Sequence, residues 1–303
     1  MSYDQRPVGH GFGLSTLRAW GRAWSGPGQA VNQESNIVRS RPFKSLLLIA
    51  AMLGAPAASL ADTGPCATNT GGALPDLIVN ATKLAQYLSV AEEKYVQASC
   101  AVQEGYVAGP GWRTLLRFTT STANIGTGAL VIGNPASCPA VFVASSCHGH
   151  LHFHQYADYR LWTPGGYQTW VALRDLSLPA NLGSNAAALL QAFKNKSLLV
   201  GRKMGFCMID SEPHLAGAGA APTFISCQSN QGISAGWTDT YNAYLDGQYV
   251  EMDALKSGDY VLEVHVNPDQ ALPESVYANN SSALKIRYLA RHGTVPASVQ
   301  VIN

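Results

Sequence analysis

An alternating apolar pattern near the C-terminus constrains the fold of this 303-residue chain more than any other feature. In GDYVLEVHVNP (258–268), apolar residues occupy every second position from Tyr260 to Val266. Side chains along a β-strand alternate between its two faces, so these residues would share one face. A turn and ESVYANNSSALKIRY (274–288) follow, and the apolar residues of that segment suit a return strand. Together the two segments predict a hairpin of an antiparallel sheet.

Most of the remaining chain has the character of short strands separated by Gly, Pro, Asn and Asp. WRTLLRFTTSTANIGTGALVIG (112–133) alternates and contains turn residues, which predicts strands. TKLAQYLSVAEEKYV (82–96) could be taken for an amphipathic helix. SNAAALLQAFKNKSLL (184–199) is the clearest helix, with Ser184 as its N-cap. The predicted fold class is mainly β: an antiparallel β-sandwich core with long irregular loops and one or two short helices.

The composition is that of a globular protein without a strong charge bias. The chain is 47% hydrophobic and has a formal net charge of +1. No lysine- and arginine-rich stripe with interleaved aromatic residues is present, which argues against nucleic acid and an anionic membrane surface as main partners. We therefore expect neither a nucleic-acid partner nor a stable membrane partner.

The N-terminal region has the pattern of an export signal. A short basic run precedes SLLLIAAMLGAPAASLA (45–61), an apolar run that ends in small residues suited to cleavage after Ala61. The apolar run is too short for a good membrane span, which needs about 20 strongly apolar residues; an uncleaved anchor is the alternative. We predict a leader and signal peptide over 1–61, with Val38 as an alternative start. A single domain over 62–303 would then be secreted, into the periplasm or the extracellular space.

Six cysteines follow the predicted cleavage site: Cys66, Cys100, Cys138, Cys147, Cys207 and Cys227. Export would place them in an oxidising compartment, where disulfide bonds form and persist. Their even number agrees with three bridges, but the sequence alone allows many pairings. The alternative is a few buried free thiols.

Half of the chain's eight histidines lie at every second position of CHGHLHFH (147–154): His148, His150, His152 and His154. On a flat strand these side chains would share one face but lie about 7 Å apart, too far for all four to bind one ion. A twisted or bulged strand, which Gly149 would make easier, brings three imidazoles close enough to hold one metal. Imidazole suits copper, zinc, nickel or iron, and the affinity order favours copper(II) where it is available. The alternative is a polar strand face without a metal.

Several motifs in one order resemble the lysyl oxidase family, over about residues 74–288. SCHGHLHFHQYADYRL (146–161) is similar to the copper site of that family. GRKMGFCMIDS (201–211) resembles the segment that holds its cofactor lysine, and QGISAGWTDTYNAYLDGQYVEMDAL (231–255) resembles the segment that holds its cofactor tyrosine. LPDLIVNA (74–81) and the predicted hairpin resemble its opening and closing strands. The short signal and the single domain are typical of a bacterial member.

The resemblance implies a copper site and a cofactor made from the protein itself. The implied copper ligands are His148, His150 and His152. The implied cofactor is lysyl tyrosylquinone, formed by cross-linking Lys203 to an oxidised Tyr241, with Asp239 as the candidate catalytic base. Members of the family convert primary amines to aldehydes with O2 and release H2O2 and ammonia, and the cofactor carries this chemistry.

The resemblance also implies a disulfide bond and a second metal. Cys147 and Cys227 match a disulfide of the family, whereas Cys100 and Cys207 have lost their usual near partners. The implied calcium ligands are Asp76, the carbonyl of Leu77, Glu274, Asn279 and Asn280. Oxygen donors of this kind suit calcium. One acidic ligand is replaced by Val276, and turn chemistry is the alternative explanation for the two asparagines.

Three functions remain open at this point. The first is a secreted copper-dependent amine oxidase acting on peptidyl lysine or small amines. The second is a non-catalytic exported copper-binding protein, and the third is a zinc hydrolase with three histidine ligands. The resemblance gives no role to His154, which we interpret as a polar strand residue. Asp158 replaces a histidine of the vertebrate members, so a role for that histidine does not transfer.

Overall fold

Antiparallel strand pairing organises the part of the chain that a computed structural model describes: residues 66, 72–145, 147–154, 156–174, 183–203, 205–214 and 221–302. These residues belong to one compact unit, Ala55–Asn303. The predicted leader, signal peptide and cleavage site, together with the Val38 start, lie outside the described residues. The boundaries of the predicted domain therefore stay a prediction.

Strands dominate the described residues, which confirms the mainly β fold class. The first eight are β1 (Leu77–Val79), β2 (Ser89–Tyr95), β3 (Gly111–Arg117), β4 (Thr120–Asn124), β5 (Leu130–Gly133), β6 (Phe142–Ala144), β7 (Leu151–His154) and β8 (Ala157–Trp162). The others are β9 (Leu199–Val200), β10 (Gly205–Phe206), β11 (Glu212–Pro213), β12 (Gln231–Ile233), β13 (Trp237–Tyr241), β14 (Tyr249–Glu251), β15 (Gly258–Val266), β16 (Ser281–Leu289) and β17 (Ser298–Val301).

Helices are short and more numerous than the one or two predicted. Within the described ranges they are α1 (Ala81–Gln86), α2 (Cys100–Gln103), α3 (Pro164–Arg174) and α4 (Gly183–Lys194). The last confirms a helix within 184–199, but it ends at Lys194, and Leu199 already belongs to β9. It begins one residue before Ser184, which therefore lies inside the helix and is not its N-cap. Among the described residues, no helix combines the length and apolar character needed to cross a membrane.

Two larger sheets contain most of the paired strands. One has the order β17-β16-β15-β8-β9 and the other the order β1-β4-β13-β11. Strands β15 and β16 are antiparallel, with Gly258 opposite Tyr288 and His265 opposite Ser281, which confirms the predicted hairpin. The strands predicted within 112–133 are also present, as β3, β4 and β5. Three smaller sheets, β10-β7-β6, β12-β5 and β14-β3-β2, complete the described pairing.

The main hydrophobic core is shared by the two larger sheets. It includes Leu77 and Val79 of β1 together with Leu161, Leu262 and Ile286 of the five-stranded sheet. Removing this apolar surface from water is the dominant favourable contribution to folding. The apolar alternation recognised in the sequence therefore marks the face of β15 that points into the core.

Strand β15 is buried on its opposite face as well. There Val261 packs with Trp162 and with Trp170 of α3. The carboxylate of Glu263 accepts hydrogen bonds from the indole N–H groups of Trp162, at 2.9 Å, and Trp170, at 3.1 Å. A buried carboxylate is tolerated here because it is hydrogen-bonded, and Arg174 adds an ion pair at 3.2 Å.

The helical pattern of residues 82–96 holds only at its beginning. Asn80 caps α1, because its side-chain oxygen accepts a hydrogen bond from the Lys83 N–H at 3.1 Å. The chain then enters β2, whose seven residues pair with β3 from Ser89 to Tyr95. Sheet pairing therefore overrides the local helical pattern in the second half of this segment.

The described cysteines form three disulfide bonds, and none is free. The pairs are Cys66–Cys138, Cys100–Cys147 and Cys207–Cys227. The number three is confirmed, but the predicted Cys147–Cys227 bond is wrong. That pairing would have left two cysteines whose usual near partners are absent. In the fold each of them lies beside one half of the expected bond, with Cα–Cα distances of 5.7 Å for Cys100–Cys147 and 5.4 Å for Cys207–Cys227.

Candidate active site and metal centre

One cavity of about 290 Å³ contains all the side chains to which the sequence assigned copper and cofactor chemistry. Its lining includes His148, His150, His152, Lys203, Asp239 and Tyr241. These residues come from three separate parts of the chain: β7 with the turn that precedes it, the segment between β9 and β10, and β13. Tertiary folding therefore brings together residues up to 93 positions apart, from position 148 to position 241.

Three of the four histidines form the candidate metal centre. Strand β7 begins only at Leu151, so His148 and His150 lie in the turn before it and not on one continuous strand face. The turn is possible because Gly149 has a φ of +66°, a left-handed conformation that costs glycine little. Each histidine places a ring nitrogen within 4.8 Å of those of the other two. The predicted twisted or bulged strand is therefore replaced by a turn at Gly149, which brings the three imidazoles together.

The ring nitrogens of this cluster are arranged so that they could bind one metal ion together. The Nδ1 of His150 lies 2.9 Å from the carbonyl oxygen of His148, which can only accept, so Nδ1 carries the proton. This leaves the Nε2 of His150 as a lone-pair donor, 2.9 Å from the Nε2 of His152. Burial, together with the positive charge of Lys203, lowers the pKa of His152 to about 4. The neutral imidazole is the form that binds a metal, so the residues present fit copper or zinc.

His154 lies apart from this cluster. It is exposed, pairs with Gly205 across β7 and β10, and lines a separate cavity with Glu104 and Arg202. The first three histidines converge while the fourth does not, because the turn at Gly149 redirects only the residues before β7. The interpretation of His154 as a polar strand residue agrees with this position.

Lys203 is a buried amine surrounded by aromatic rings. The residue is 4% exposed, and burial lowers the pKa of its amine to about 8. Its Nζ lies 4.9 Å from the ring centroid of Tyr106, 5.3 Å from that of Phe206 and 5.5 Å from that of Tyr241. Gly247, with a φ of +78°, lies so close that an added Cβ would be 2.8 Å from the Lys203 Cβ. A side chain at position 247 would displace the lysine.

Tyr241, the last residue of β13, is held in place through both its hydroxyl and its aromatic ring. Its hydroxyl donates a hydrogen bond to the Cys207 carbonyl at 2.7 Å and accepts one from the Cys207 N–H. The Phe206 ring meets the tyrosine ring edge-on, with centroids 5.1 Å apart. Burial and the nearby charge of Asp239 raise the pKa of the phenol well above its usual value. The tyrosine is therefore fixed in the neutral form until another group stabilises its anion.

Asp239 shares a face of β13 with Tyr241, as alternation in the strand predicts. It is 2% exposed, and its Oδ2 is buried without a hydrogen-bond partner in the described part of the chain. Burial raises the pKa of this carboxyl well above its usual value, and the charge of Asp210 acts in the same direction. A buried carboxylate oxygen without a partner costs stability, and such groups concentrate at functional sites.

Asp158 lies outside the cavity and forms ion pairs of its own. Its Oδ2 is 2.7 Å from the Nε of Arg160 and 2.9 Å from the Nζ of Lys194. The pairs connect β8 to the end of α4, so this residue has a structural role in the fold.

The predicted calcium ligands also come together, between β1 and the segment that precedes β16. The Asp76 carboxylate accepts a hydrogen bond from the Asn279 amide at 2.8 Å. Glu274 accepts hydrogen bonds from the Leu77 N–H and the Asn280 amide, both at 2.7 Å. The side-chain oxygens of Asn279 and Asn280 are buried and have no hydrogen-bond partner among the described residues. Two such amide oxygens beside two carboxylates form a donor set that fits calcium.

Several residues around the cavity were missed in the sequence. Tyr106 and Gly247 contact Lys203, and Glu104 contacts the turn that contains His148. A tyrosine, a glycine and a glutamate have no motif of their own, so no pattern distinguished them. Their positions depend on how α2 and the chain after β13 pack against the histidine turn.

Comparison with known proteins agrees with this geometry. Residues 188–297, which include Lys203, Asp239 and Tyr241, match the family model described as lysyl oxidase. The protein-lysine 6-oxidase of Sus scrofa is 28% identical over 229 residues, covering 72% of this chain and 78% of the pig sequence. The same-named protein of Bos taurus is 28% identical over 229 residues, covering 72% of this chain and 47% of the bovine sequence.

A third relative shows that the shared region can be part of a much longer protein. Lysyl oxidase homolog 2 of Xenopus laevis is 27% identical over 224 residues, covering 71% of this chain but 25% of the frog sequence. The chain thus spans about half of the bovine relative and a quarter of the frog relative. The matched segment and these relatives support membership of the chain in the lysyl oxidase family, and the motif residues that carry the resemblance converge in one cavity.

Proposed function

We propose that the protein is a secreted, copper-dependent amine oxidase. It converts primary amines, either peptidyl lysine or small amines, to aldehydes with O2 and water and releases H2O2 and ammonia. Its cofactor is lysyl tyrosylquinone, which the protein makes from Lys203 and Tyr241. One observation carries the proposal: the Lys203 Nζ lies 5.5 Å from the centroid of the Tyr241 ring, in the cavity that also contains the three clustered histidines.

The three clustered histidines would hold the copper. Imidazole nitrogens suit copper(II), and the Nε2 atoms of His150 and His152 already face each other at 2.9 Å. When bound, copper supports oxidation of the tyrosine with O2, and the resulting quinone accepts the electrons of the amine. The protein supplies the positions of the reacting groups and their protonation.

Lys203 is prepared for bond formation by its surroundings. A lysine must lose its proton to act as a nucleophile, and burial lowers the pKa of this amine to about 8. A larger fraction of Lys203 is therefore neutral near physiological pH than for an exposed lysine. Close contact with Gly247 holds its carbon chain on one side, toward the aromatic rings.

Asp239 is the group best placed to remove a proton from the substrate. Its unpartnered Oδ2 belongs to a residue that lines the cavity, so the oxygen can accept a proton from the carbon next to the amine. Burial raises the pKa of this carboxyl, which makes its ionised form a stronger base than an exposed aspartate. We assign it the role of catalytic base.

The relatives and the disulfide bonds support the substrate class and the location. The pig and human relatives are named protein-lysine 6-oxidase, a name that describes oxidation of a lysine amine. Three disulfide bonds among the described residues favour an oxidising compartment, which agrees with the predicted export signal.

We also propose that calcium binds beside Asp76, Glu274, Asn279 and Asn280. The support is the pair of buried, unpartnered amide oxygens next to two carboxylates. Calcium should raise the melting temperature of the wild-type protein, since a ligand that binds only the folded state stabilises it by about 2.7 kcal/mol at 100 times its Kd. Asn279→Ala should reduce this response. A wild-type melting temperature that calcium leaves unchanged would contradict the site.

The amine oxidase proposal is tested by looking for the cross-link. Copper-loaded protein is exposed to air and digested, and mass spectrometry should find one species that joins the peptides of Lys203 and Tyr241. The same protein should react with phenylhydrazine, which labels a quinone carbonyl. Bound copper without the cross-linked peptide and without a phenylhydrazine adduct would favour the alternative, a non-catalytic exported copper-binding protein.

A further inference from the structure

The carboxylate of Glu104 connects helix α2 to the turn that carries the first clustered histidine. Glu104 follows the last residue of α2 and forms its C-cap. One carboxylate oxygen, Oε1, accepts hydrogen bonds from the Ser145 hydroxyl at 2.5 Å and from the Cys147 N–H at 3.1 Å. The Ser145 hydroxyl in turn accepts a hydrogen bond from the His148 N–H at 3.0 Å. Glu104 therefore contacts the backbone directly before the metal centre.

The second oxygen of this carboxylate is directed toward His148 itself. Oε2 is buried and has no hydrogen bond of normal geometry in the described chain, and the Tyr106 hydroxyl interacts with the same carboxylate. Oε2 lies 3.9 Å from the Nδ1 of His148. The Glu104 side chain is only 8% exposed, so water does not replace the missing partner freely. An acceptor in this position costs stability unless a donor reaches it, and the His148 imidazole is the donor on the side of the metal centre.

The same arrangement is already complete at the neighbouring histidine. The Nδ1 of His150 donates to a carbonyl oxygen, which leaves Nε2 free to bind a metal. Histidines that bind metals almost always donate their second ring nitrogen in this way, and a carboxylate is a common acceptor. For His148 the only acidic side chain that an ion-pair contact places beside Nδ1, among the described residues, is Glu104.

We propose that Glu104 is a positioning residue for the copper ligand His148. Its Oε2 accepts the Nδ1–H of His148, which fixes the ring so that Nε2 points to the metal. Its Oε1 holds the turn through Ser145 and Cys147, and the Cys100–Cys147 bond fastens the same turn to the start of α2. This inference rests on the proposed copper site and assigns a role to a residue that does not bind the metal.

The two carboxylate oxygens of Glu104 have different partners, so one substitution can remove the contact with His148 while keeping the contacts with the turn. In Glu104→Gln, the amide oxygen can keep both hydrogen bonds to Ser145 and Cys147. The amide nitrogen then takes the place of Oε2 and offers a donor to a ring nitrogen that must itself donate. Glu104→Gln thus preserves the connection to the turn and removes the connection to the imidazole, whereas Glu104→Ala removes both.

Copper(II) affinity of the purified wild-type and variant proteins is measured by competition with a chelator, and copper(II) EPR spectra are recorded in parallel. We expect Glu104→Gln to weaken copper binding by about 10- to 100-fold and to change the copper hyperfine splitting. The melting temperature of the copper-free variant should stay close to that of the wild type. Glu93→Gln is the control, since it removes a carboxylate whose hydrogen bonds go to Arg117 and Tyr95 and not to the histidine turn.

The results separate this inference from the proposed copper site. If wild-type protein binds no copper, the copper site itself is wrong. If wild-type protein binds copper and Glu104→Gln has the same affinity and EPR spectrum, only the role of Glu104 is wrong. If Glu104→Gln does not fold, 15N NMR of histidine-labelled wild-type protein loaded with Zn²⁺, as a diamagnetic substitute, decides the question. Zinc on Nε2 and a proton on Nδ1 of His148 would support the inference, and zinc on Nδ1 would overturn it.

Discussion

The cavity that contains Asp239 and the group of predicted calcium ligands that contains Glu274 each bury a carboxylate, but the oxygens of the two carboxylates are paired differently. Both oxygens of Glu274 accept hydrogen bonds, from the Leu77 N–H on one and from Asn280 and Asn267 on the other. In the cavity, the Oδ2 of Asp239 has no partner in the described chain although the residue is 2% exposed. Both carboxylates are buried, and burial raises the pKa of each.

The difference separates a role in folding from a role in chemistry. Satisfied hydrogen bonds connect β1 to the segment before β16 over nearly 200 positions of sequence, from Leu77 to Glu274. An unsatisfied carboxylate and a desolvated amine contribute nothing comparable to the fold, and their cost is tolerated where a reaction needs reactive groups. The five predictions below test the chemical side of this contrast and then the contrast itself, beginning with the largest expected effect.

Tyr241→Phe should abolish the cofactor completely while leaving copper bound. Phenylalanine keeps the ring that packs against Phe206 but has no hydroxyl to ionise, so no quinone can form. The measurement is phenylhydrazine labelling and visible absorbance after copper loading in air, with bound copper determined separately. A quinone signal in this variant would show that another tyrosine forms the cofactor.

His152→Ala should weaken copper binding by at least about 100-fold, because it removes a proposed ligand. This loss should exceed that of Glu104→Gln, which removes only a group that positions a ligand. His154→Ala is the matched control, since that residue is on the same strand but lies outside the cluster. Its copper affinity should remain that of the wild type. Equal losses of copper affinity in the two variants would contradict the assignment of three histidines as ligands and of His154 as a residue that does not bind the metal.

Lys203 should titrate far below an ordinary lysine in the copper-free protein. Its folded-state pKa of about 8 lies under the usual 10.5, so between these values the unfolded chain holds more protons than the folded one. The stability contributed by this group is therefore lowest below about pH 8 and increases as the pH rises toward 10.5. Lys203→Met should remove that increase.

The direct measurement is 13C NMR of lysine Cε in labelled, copper-free protein as a function of pH. One resonance should shift near pH 8 and should be absent from Lys203→Met. If every lysine resonance shifts near its usual value, the cavity does not desolvate Lys203.

Glu274→Gln and Asp239→Asn should change the free energy of unfolding in different directions. Gln at position 274 places an amide nitrogen against an N–H donor, which should destabilise the protein by about 1–3 kcal/mol. Asn at position 239 replaces a buried carboxyl that has no ion pair and should leave stability unchanged or slightly increased. Urea unfolding of copper-free protein measures both, and a loss of similar size in both variants would refute the contrast.

The same two variants should differ in amine oxidase activity in the opposite order: the variant that keeps its stability should lose activity, and the destabilised variant should keep it. Asp239→Asn should lower amine oxidation by about 10²- to 10⁴-fold because its carboxylate is the proposed proton acceptor. Glu274→Gln should retain most of its activity at temperatures where it remains folded. Hydrogen peroxide release with a primary amine provides the measurement.

Local pattern was enough to predict much of the fold. Alternation of apolar residues predicted the β15–β16 hairpin, because a strand exposes alternate side chains to the core. It did not predict where residues 82–96 change from α1 to β2, since that depends on pairing with β3. The helices α1 and α2 are too short for a periodic signal, which needs more than one or two turns.

The disulfide bonds show where resemblance led to a wrong result. Cys147 and Cys227 were expected to pair, yet they bond to Cys100 and Cys207. A pairing depends on which Cα atoms lie within about 4.4–6.8 Å, and sequence separation does not contain that distance. The Cys100–Cys147 bond also brings α2, and with it Glu104, to the histidine turn.

The sequence by itself determined the inventory: the alternating strands, the histidine run and the segments that contain Lys203 and Tyr241. These depend on residue type and on spacing over a few positions, which the chain carries directly. Only the tertiary structure decided which three histidines converge, which cysteines pair, and which carboxylates are satisfied and which are not. Those properties depend on distances between residues far apart in sequence and on the exclusion of water, and both exist only once the chain has folded.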